Sequence, residues 1–494
     1  MKVFRLAGLV SCLVVLPLLC PTNFSLSFIP DTNGRGNNRQ SEDYRTVSID
    51  DDQLQPGKII EKVTIAADPT QSFALYLPPA YTPSKKWPII YGFDPGARGL
   101  MAVEHFKDAA EKYGYIVVGS NSSRNGPNVP LKEIIVNLWQ DTHVRFQIDE
   151  QRVYTAGLSG GARVACSVGY MLNGYVTGVI GCGAGFPSGI NPSKATPFVY
   201  FGTVGIEDFN FPEMKHLERA LDASAIPNRL AVFDGGHAWA PASLCTEAIE
   251  WMEIQAMKSH KRAVDDTLID NLFKREIGKA KADDAANKPY DAFVEFSQLS
   301  QEFKGLRDVK EFEARADALR NTKEIKDAIK QQQREETNQQ RFEQEFGELR
   351  FGSGEGNDAL SNTNKMTVLI QDLTKASNEK ENSSSRVVAR RTLLGLGIMI
   401  SEETAGLMAA KEYARVIANY KLAAQMQPTN PRVSVSLARV YCLTRDKKKA
   451  LESLRKAVEL GFVDVGQLEN KDFDLIREDA EFKNIVTTLK GKQH

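Results

Sequence analysis

The chain has 494 residues, 25% of them charged, with a formal net charge of −1. That length predicts two or three domains. The balanced charge excludes the basic field that nucleic-acid binding requires and the acidic excess of a solvating tail.

Lys2 and Arg5 precede an apolar run from Leu6 to Leu19, and Ser25-Leu26-Ser27 offers a small-x-small cleavage site. Residues 1–27 therefore read as a secretory signal, too short to span a bilayer permanently. An uncleaved anchor is the alternative. Export to the periplasm or the medium is expected, with no membrane span left after processing. Residues 28–53 are polar and rich in Gly, Asn and Asp, which predicts a disordered leader.

From 54 to 260 strand and helix patterns alternate, which predicts an α/β domain with a mostly parallel sheet covered by helices. Strands are expected at 59–65, 72–77, 88–93, 115–119, 152–156, 177–182, 197–202 and 229–233. Helices are expected at 101–113, 131–146, 160–172, 212–224 and 241–257. A doubly wound nucleotide binder would carry a Gly-rich loop after its first strand, and none is present.

The loop after the third strand pattern reads Gly92-Phe-Asp-Pro-Gly-Ala-Arg-Gly99. A backbone N–H here is expected to help hold an oxyanion. Pro95 has none to offer, so Gly96 or Ala97 must supply it. Asp94 and Arg98 are spaced to pair as a structural brace. The loop Ser120 to Pro127 also follows a strand end, where ligands bind in such sheets.

The run Val153-Tyr-Thr-Ala-Gly-Leu-Ser159-Gly-Gly161 carries the most chemistry. A strand pattern stops at Gly157, a serine follows two residues later, and a helix pattern begins at Gly160. This is G-x-S-x-G at a strand-to-helix junction, a nucleophile elbow. Gly157 and Gly161 leave room for a sharp turn, and the Gly160 N–H at the helix start is placed to stabilise a developing negative oxygen.

A serine hydroxyl needs a base and a group to orient that base. Asp208 follows the strand pattern at 197–202 and, with Asn210, forms a D-x-N turn signal. Its neighbour Glu207 is the alternative acid. His237 lies directly after the last strand, where Gly235 and Gly236 allow a sharp loop. The other histidines fall within helix patterns or outside the sheet region. None has a partner at ligand spacing, so no metal site is expected. Trp239 reads equally as a pocket wall and as packing.

Of the six cysteines, Cys166, Cys182, Cys245 and Cys442 remain after processing. Export permits disulfides, and Cys182 with Cys245 is the first pair to test. Beyond residue 260 the chain becomes rich in Lys, Glu, Gln and Ala with helical periodicity, which predicts a helical connecting region over 261–402. Gly352 to Asn357 marks a flexible joint within it. In 403–494, Tyr413, Val416, Tyr420, Ala423 and Pro428 match the second helix of a helix-pair repeat. Leu437, Ala438, Tyr441, Ala450, Leu454 and Ala457 match the next unit. A cap is expected over Phe473 to Leu489.

With Gly157-Leu-Ser159-Gly-Gly161, Asp208 and Gly236-His237 in place, the segment resembles the α/β-hydrolase superfamily. It looks closest to secreted esterases of the polyhydroxybutyrate-depolymerase and dienelactone-hydrolase-like groups. Many members carry His-Gly where this chain has Asp94-Pro95. The resemblance implies acyl transfer to water from a small or polymeric ester, through an acyl-enzyme and without a cofactor. Residues 407–460 are similar to tetratricopeptide repeats, which implies a protein partner. Two other functions fit the same residues: a prolyl-oligopeptidase-like peptidase, and a non-catalytic interaction protein on a hydrolase scaffold.

Overall fold

The computed structural model describes residues 54–126, 128–351, 357–380 and 383–491. The expected signal and leader lie outside those residues, as does most of the expected joint at 352–357. Eight strands form one sheet: β1 (Ile59–Thr64), β2 (Ser72–Tyr76), β3 (Trp87–Phe93), β4 (Ile116–Ser120), β5 (Ile148–Leu158), β6 (Val176–Cys182), β7 (Val199–Gly205) and β8 (Asn228–Phe233). Their spatial order is β1-β2-β4-β3-β5-β6-β7-β8. β2 runs antiparallel to both neighbours, and every pair from β4–β3 through to β7–β8 is parallel.

Five helices cover this sheet: α1 (Gly99–Tyr113), α2 (Leu131–Arg145), α3 (Gly160–Met171), α4 (Phe211–Ala223) and α5 (Ala242–Lys258). Strand side chains alternate between faces, so neighbouring positions enter different cores. Ile89, Tyr91 and Phe93 pack with Leu138 of α2, Val164 of α3 and Leu217 of α4. Ile90 packs on the opposite face with Phe106 of α1 and Ile249 of α5. Because both faces are covered, β3, β4 and β6 are buried along their whole length. Their sequences accordingly read as continuous apolar runs rather than alternating ones.

The helices that follow divide differently from the expected breaks at 260 and 402. The described chain forms two compact units, residues 54–334 and 335–491. α6 (Asp266–Ala285), α7 (Pro289–Phe303) and α8 (Lys310–Arg320) belong with the sheet. Ile254 and Met257 of α5 share a core with Leu272, Phe296 and Phe303. α7 also shields the open edge of the sheet, where Gln298 Nε2 donates to the Leu230 carbonyl of β8 at 3.1 Å. Buried Arg229 of β8 pairs with Glu302 at 2.9 Å and Glu276 at 3.4 Å.

α9 (Lys323–Phe351) begins in the first unit and ends in the second. The second unit continues through α10 (Asn357–Ser377), α11 (Ser384–Ala409), α12 (Tyr413–Met426), α13 (Pro431–Leu443), α14 (Lys447–Glu459) and α15 (Ala480–Gly491). Asn430 caps α13 by accepting the Arg432 N–H, with Pro431 in the first turn where a missing N–H costs nothing. Ala438 and Tyr441 of α13 bury with Ala450, Leu454 and Ala457 of α14 and with Phe482 and Leu489 of α15. No helix among the described residues is long and apolar enough to cross a membrane.

Candidate active site

β5 delivers Ser159 to a turn with φ 53° and ψ −121°, a conformation that L-residues hold only when their surroundings impose it. Two glycines make the turn possible. A Cβ on Gly157 would stand 2.1 Å from the Gly161 carbonyl oxygen, and one on Gly161 would stand 2.0 Å from the Phe93 oxygen. The Ser159 N–H donates to the Cys182 carbonyl at 2.8 Å, which pins the turn to the end of β6.

Asp208 follows β7 and is fully buried. Its Oδ1 accepts the Asn210 N–H at 2.8 Å, forming the expected D-x-N turn. Asn210 Nδ2 in turn donates to the Gly183 carbonyl at 2.7 Å. His237 follows β8, with its Nδ1 3.0 Å from both Asp208 oxygens. A buried carboxylate only accepts, so the hydrogen sits on Nδ1 and Nε2 keeps its lone pair. The adjacent Glu207 is half-buried, while the two oxygens at 3.0 Å from His237 Nδ1 are those of Asp208. The Phe209 ring packs 4.5 Å from the imidazole.

Gly183 stands beside Asp208 and His237 and is not among the expected site residues. Its neighbour Cys182 takes the Ser159 N–H. A Cβ on Gly183 would lie 2.8 Å from Asp208 Oδ2 and 3.1 Å from His237 Nδ1. The repeated glycines at 181, 183 and 185 after a strand were the available signal. Ser159, Asp208 and His237 thus meet around the end of β6. Among the described residues no hydrogen bond joins Ser159 Oγ to the imidazole, a contact that commonly tightens only when substrate binds.

The expected oxyanion loop is organised differently. Gly96 donates its N–H to Asp94 Oδ1 at 2.8 Å, and Ala97 donates to the Asp94 carbonyl at 3.1 Å. Both N–H groups are committed within the loop, so neither is free to hold an oxyanion. The Ala97 N–H closes a backbone turn on the Asp94 carbonyl. The Gly96 N–H is claimed by Asp94, a fully buried carboxylate that must gather donors. Arg98 supplies two, at 2.7 and 3.0 Å, realising the expected brace. Trp239 supplies another at 2.9 Å. Burial opposes the Asp94 charge, but the hydrogen bonds from Arg98, Trp239 and Gly96 outweigh it and hold the carboxyl below its usual range. Trp239 is buried, stacked on His105 and edge-on to Phe106, so it is packing rather than a pocket wall.

Among the described residues, Gly160, the first residue of α3, donates its N–H to no other backbone group. The 120–126 loop closes over the oxyanion loop: Gly96 bridges Arg124, and the Asn125 N–H donates to the Pro95 carbonyl at 2.8 Å. Cys182 and Cys245, the pair first in line for a disulfide, are both free and buried. Burial pushes the Cys182 thiol up to about 11, which makes it a core residue rather than a nucleophile. No cluster of His, Cys, Asp or Glu among the described residues is arranged to hold a metal ion.

No family model matches the sequence, and no curated protein matches it significantly. Among solved structures, the chain is similar to the S-formylglutathione hydrolase FrmB of Staphylococcus aureus, with 13% identity and a TM-score of 0.33, over 40% of this chain and 98% of that one. It is similar to a ferulic acid esterase with 17% identity and a TM-score of 0.33, over 39% of this chain and 95% of that one. It is also similar to Thermogutta terrifontis esterase 2, there phosphonylated by sarin, with 11% identity and a TM-score of 0.32, over 43% and 98% of the two chains.

Proposed function

We propose that this protein is an exported serine hydrolase that cleaves a carboxylic ester, small or polymeric, through an acyl-enzyme. The observation that carries the reading is His237 Nδ1 standing 3.0 Å from both oxygens of buried Asp208, beside a Ser159 turn held at φ 53°. Asp208 fixes the imidazole so that Nε2 is the basic nitrogen. Ser159 Oγ attacks the ester carbon while Nε2 takes its proton. The tetrahedral intermediate collapses, the alcohol leaves with that proton, and the acyl group stays on Ser159. Water then repeats the sequence with His237 as base and releases the acid. The Gly160 N–H at the start of α3 is one donor to the oxyanion. None of these steps calls for a cofactor.

A fluorophosphonate probe should label the intact protein and fail on Ser159→Ala. Absence of labelling in the folded parent would remove the reading. Turnover of p-nitrophenyl esters should exceed that of peptide anilides, and the reverse order would reassign the enzyme as a peptidase.

The helices from residue 403 onward are assigned to docking a protein partner in the manner of tetratricopeptide repeats. Support comes from burial of Val416, Ala438, Tyr441, Ala450, Leu454 and Ala457, the positions at which such a repeat packs its helices. Cross-linking of the chain in its own extract, with and without residues 403–494, tests this. Adducts that persist without the repeats would refute the assignment.

A further inference from the structure

The commitment of both Gly96 and Ala97 to Asp94 leaves the site short of one oxyanion donor. The Gly160 N–H alone is a weak cradle, because hydrolases of this chemistry use two or more preorganised donors. The place to look is around Gly160 itself. This residue is the variable position of G-x-S-x-G, where nothing in the motif demands glycine.

The structure supplies a reason for the glycine. A Cβ on Gly160 would lie 1.9 Å from Asn125 Oδ1, 2.7 Å from its Cγ and 2.8 Å from its Nδ2. The Asn125 amide therefore lies directly against the first residue of α3, next to Ser159. Its main chain is anchored, since the Asn125 N–H donates to the Pro95 carbonyl at 2.8 Å and Arg124 bridges Gly96. Its side chain is exposed and makes no side-chain hydrogen bond among the described residues. An amide whose main chain is held and whose donors are free can turn towards a negative charge that develops beside Gly160. The two amide atoms exchange by a half-turn about χ2, so either edge of the plane can present the NH₂.

We propose that Asn125 Nδ2 is the second oxyanion donor, acting with the Gly160 N–H, and that Gly160 is glycine in order to admit it. The inference rests on the serine-hydrolase reading above. It assigns to the 120–126 loop the role that the 94–98 loop was expected to fill.

The test compares the parent, Asn125→Ala, Asn125→Asp, Gly160→Ala and the double variant Asn125→Ala/Gly160→Ala. Each is assayed for kcat and KM on p-nitrophenyl acetate, for fluorophosphonate labelling rate and for thermal midpoint. Asn125→Ala should lower kcat by about 10²–10³-fold with little change in KM, the signature of a group that acts in the transition state. Asn125→Asp keeps the shape but places a negative charge beside the oxyanion, so it should fall further. Gly160→Ala keeps its N–H and sits in a helix, and the atom it would strike is a movable side chain, so the fold should survive. Its loss should match that of Asn125→Ala, and the double variant should lose no more than either single one.

Asn125→Ala with kcat within about threefold of the parent would overturn the inference while leaving the hydrolase reading intact. Two single losses that multiply in the double variant would also overturn it. A parent that neither labels nor turns over ester would remove the underlying reading and the inference with it. Should Asn125→Ala show a lowered midpoint, Asn125→Asp, equal in size, carries the test instead.

Discussion

The indole N–H of Trp239 donates to Asp94 Oδ2 at 2.9 Å, joining residues 145 positions apart. It ties the loop after β3 to the loop that carries His237 two residues earlier. Trp239→Phe should keep the ring contacts with His105 and Phe106 but remove one donor from a buried carboxylate. A loss of about 1–3 kcal/mol in unfolding free energy is expected. With the His237 loop loosened, kcat should drop by about tenfold to a hundredfold. Urea midpoints and ester turnover measured together check this, and a variant indistinguishable from the parent in both would show the tie to be dispensable.

Asp208→Asn preserves the D-x-N turn but places an amide where a carboxylate fixes the imidazole. The neutral amide can donate to Nδ1 and select the wrong tautomer, so kcat should fall by about 10⁴. Glu207→Gln should stay close to the parent, because both Asp208 oxygens lie 3.0 Å from His237 Nδ1. Equal losses in the two variants would overturn the assignment of the acid.

A chain of residues 54–334 should fold and label with fluorophosphonate, whereas one ending at residue 260 should not. The shorter chain loses Arg275, which pairs with buried Glu250, and Arg262, which pairs with buried Glu253. It also strips Glu276 and Glu302 from buried Arg229. Lys112, Arg152 and Glu247 remain as partners of Glu250, Glu253 and Arg229, but Ile254 and Met257 lose the core they share with Leu272, Phe296 and Phe303, and this exposed apolar surface lowers the stability further. Circular dichroism melts of the two chains decide the matter.

Burial pushes the Glu302 carboxyl up to about 7, against the pull of Arg229. The groups facing it include Arg229 on β8, Glu276 and Arg275 on α6, and Lys258 on α5. Between the ordinary glutamate value of 4.5 and about 7, the folded protein holds a proton that the unfolded chain has released. Stability contributed by this group is therefore present at the acid end and falls as pH rises through that window. Glu302→Gln should flatten the slope of unfolding free energy between about pH 5 and pH 7. An unchanged slope would mean that Glu302 titrates at its ordinary value.

Local chemistry made much of the molecule legible from the sequence. The eight strands are apolar or alternating runs and the five covering helices are runs of helical period, and each lies over its expected stretch, with β5 starting earlier, at Ile148. Ser159, Asp208 and His237 each carry a signal within a few residues: the flanking glycines, the D-x-N turn and the Gly-Gly pair after a strand. Such signals follow from backbone sterics, which act between near neighbours and so are written into short stretches.

What stayed hidden depended on partners far along the chain. Whether the Gly96 N–H is free turns on how Asp94 is satisfied, and one of its donors is Trp239. The membership of α6 to α8 in the first unit turns on Arg229 meeting Glu302, 73 positions away. A buried charge must find its partners wherever the fold brings them, and sequence spacing holds no record of that search. The residue pattern thus marks Ser159, Asp208 and His237 as candidate groups for the chemistry. Only the folded chain, by burying some polar groups and leaving others exposed, settles which N–H groups remain available to it.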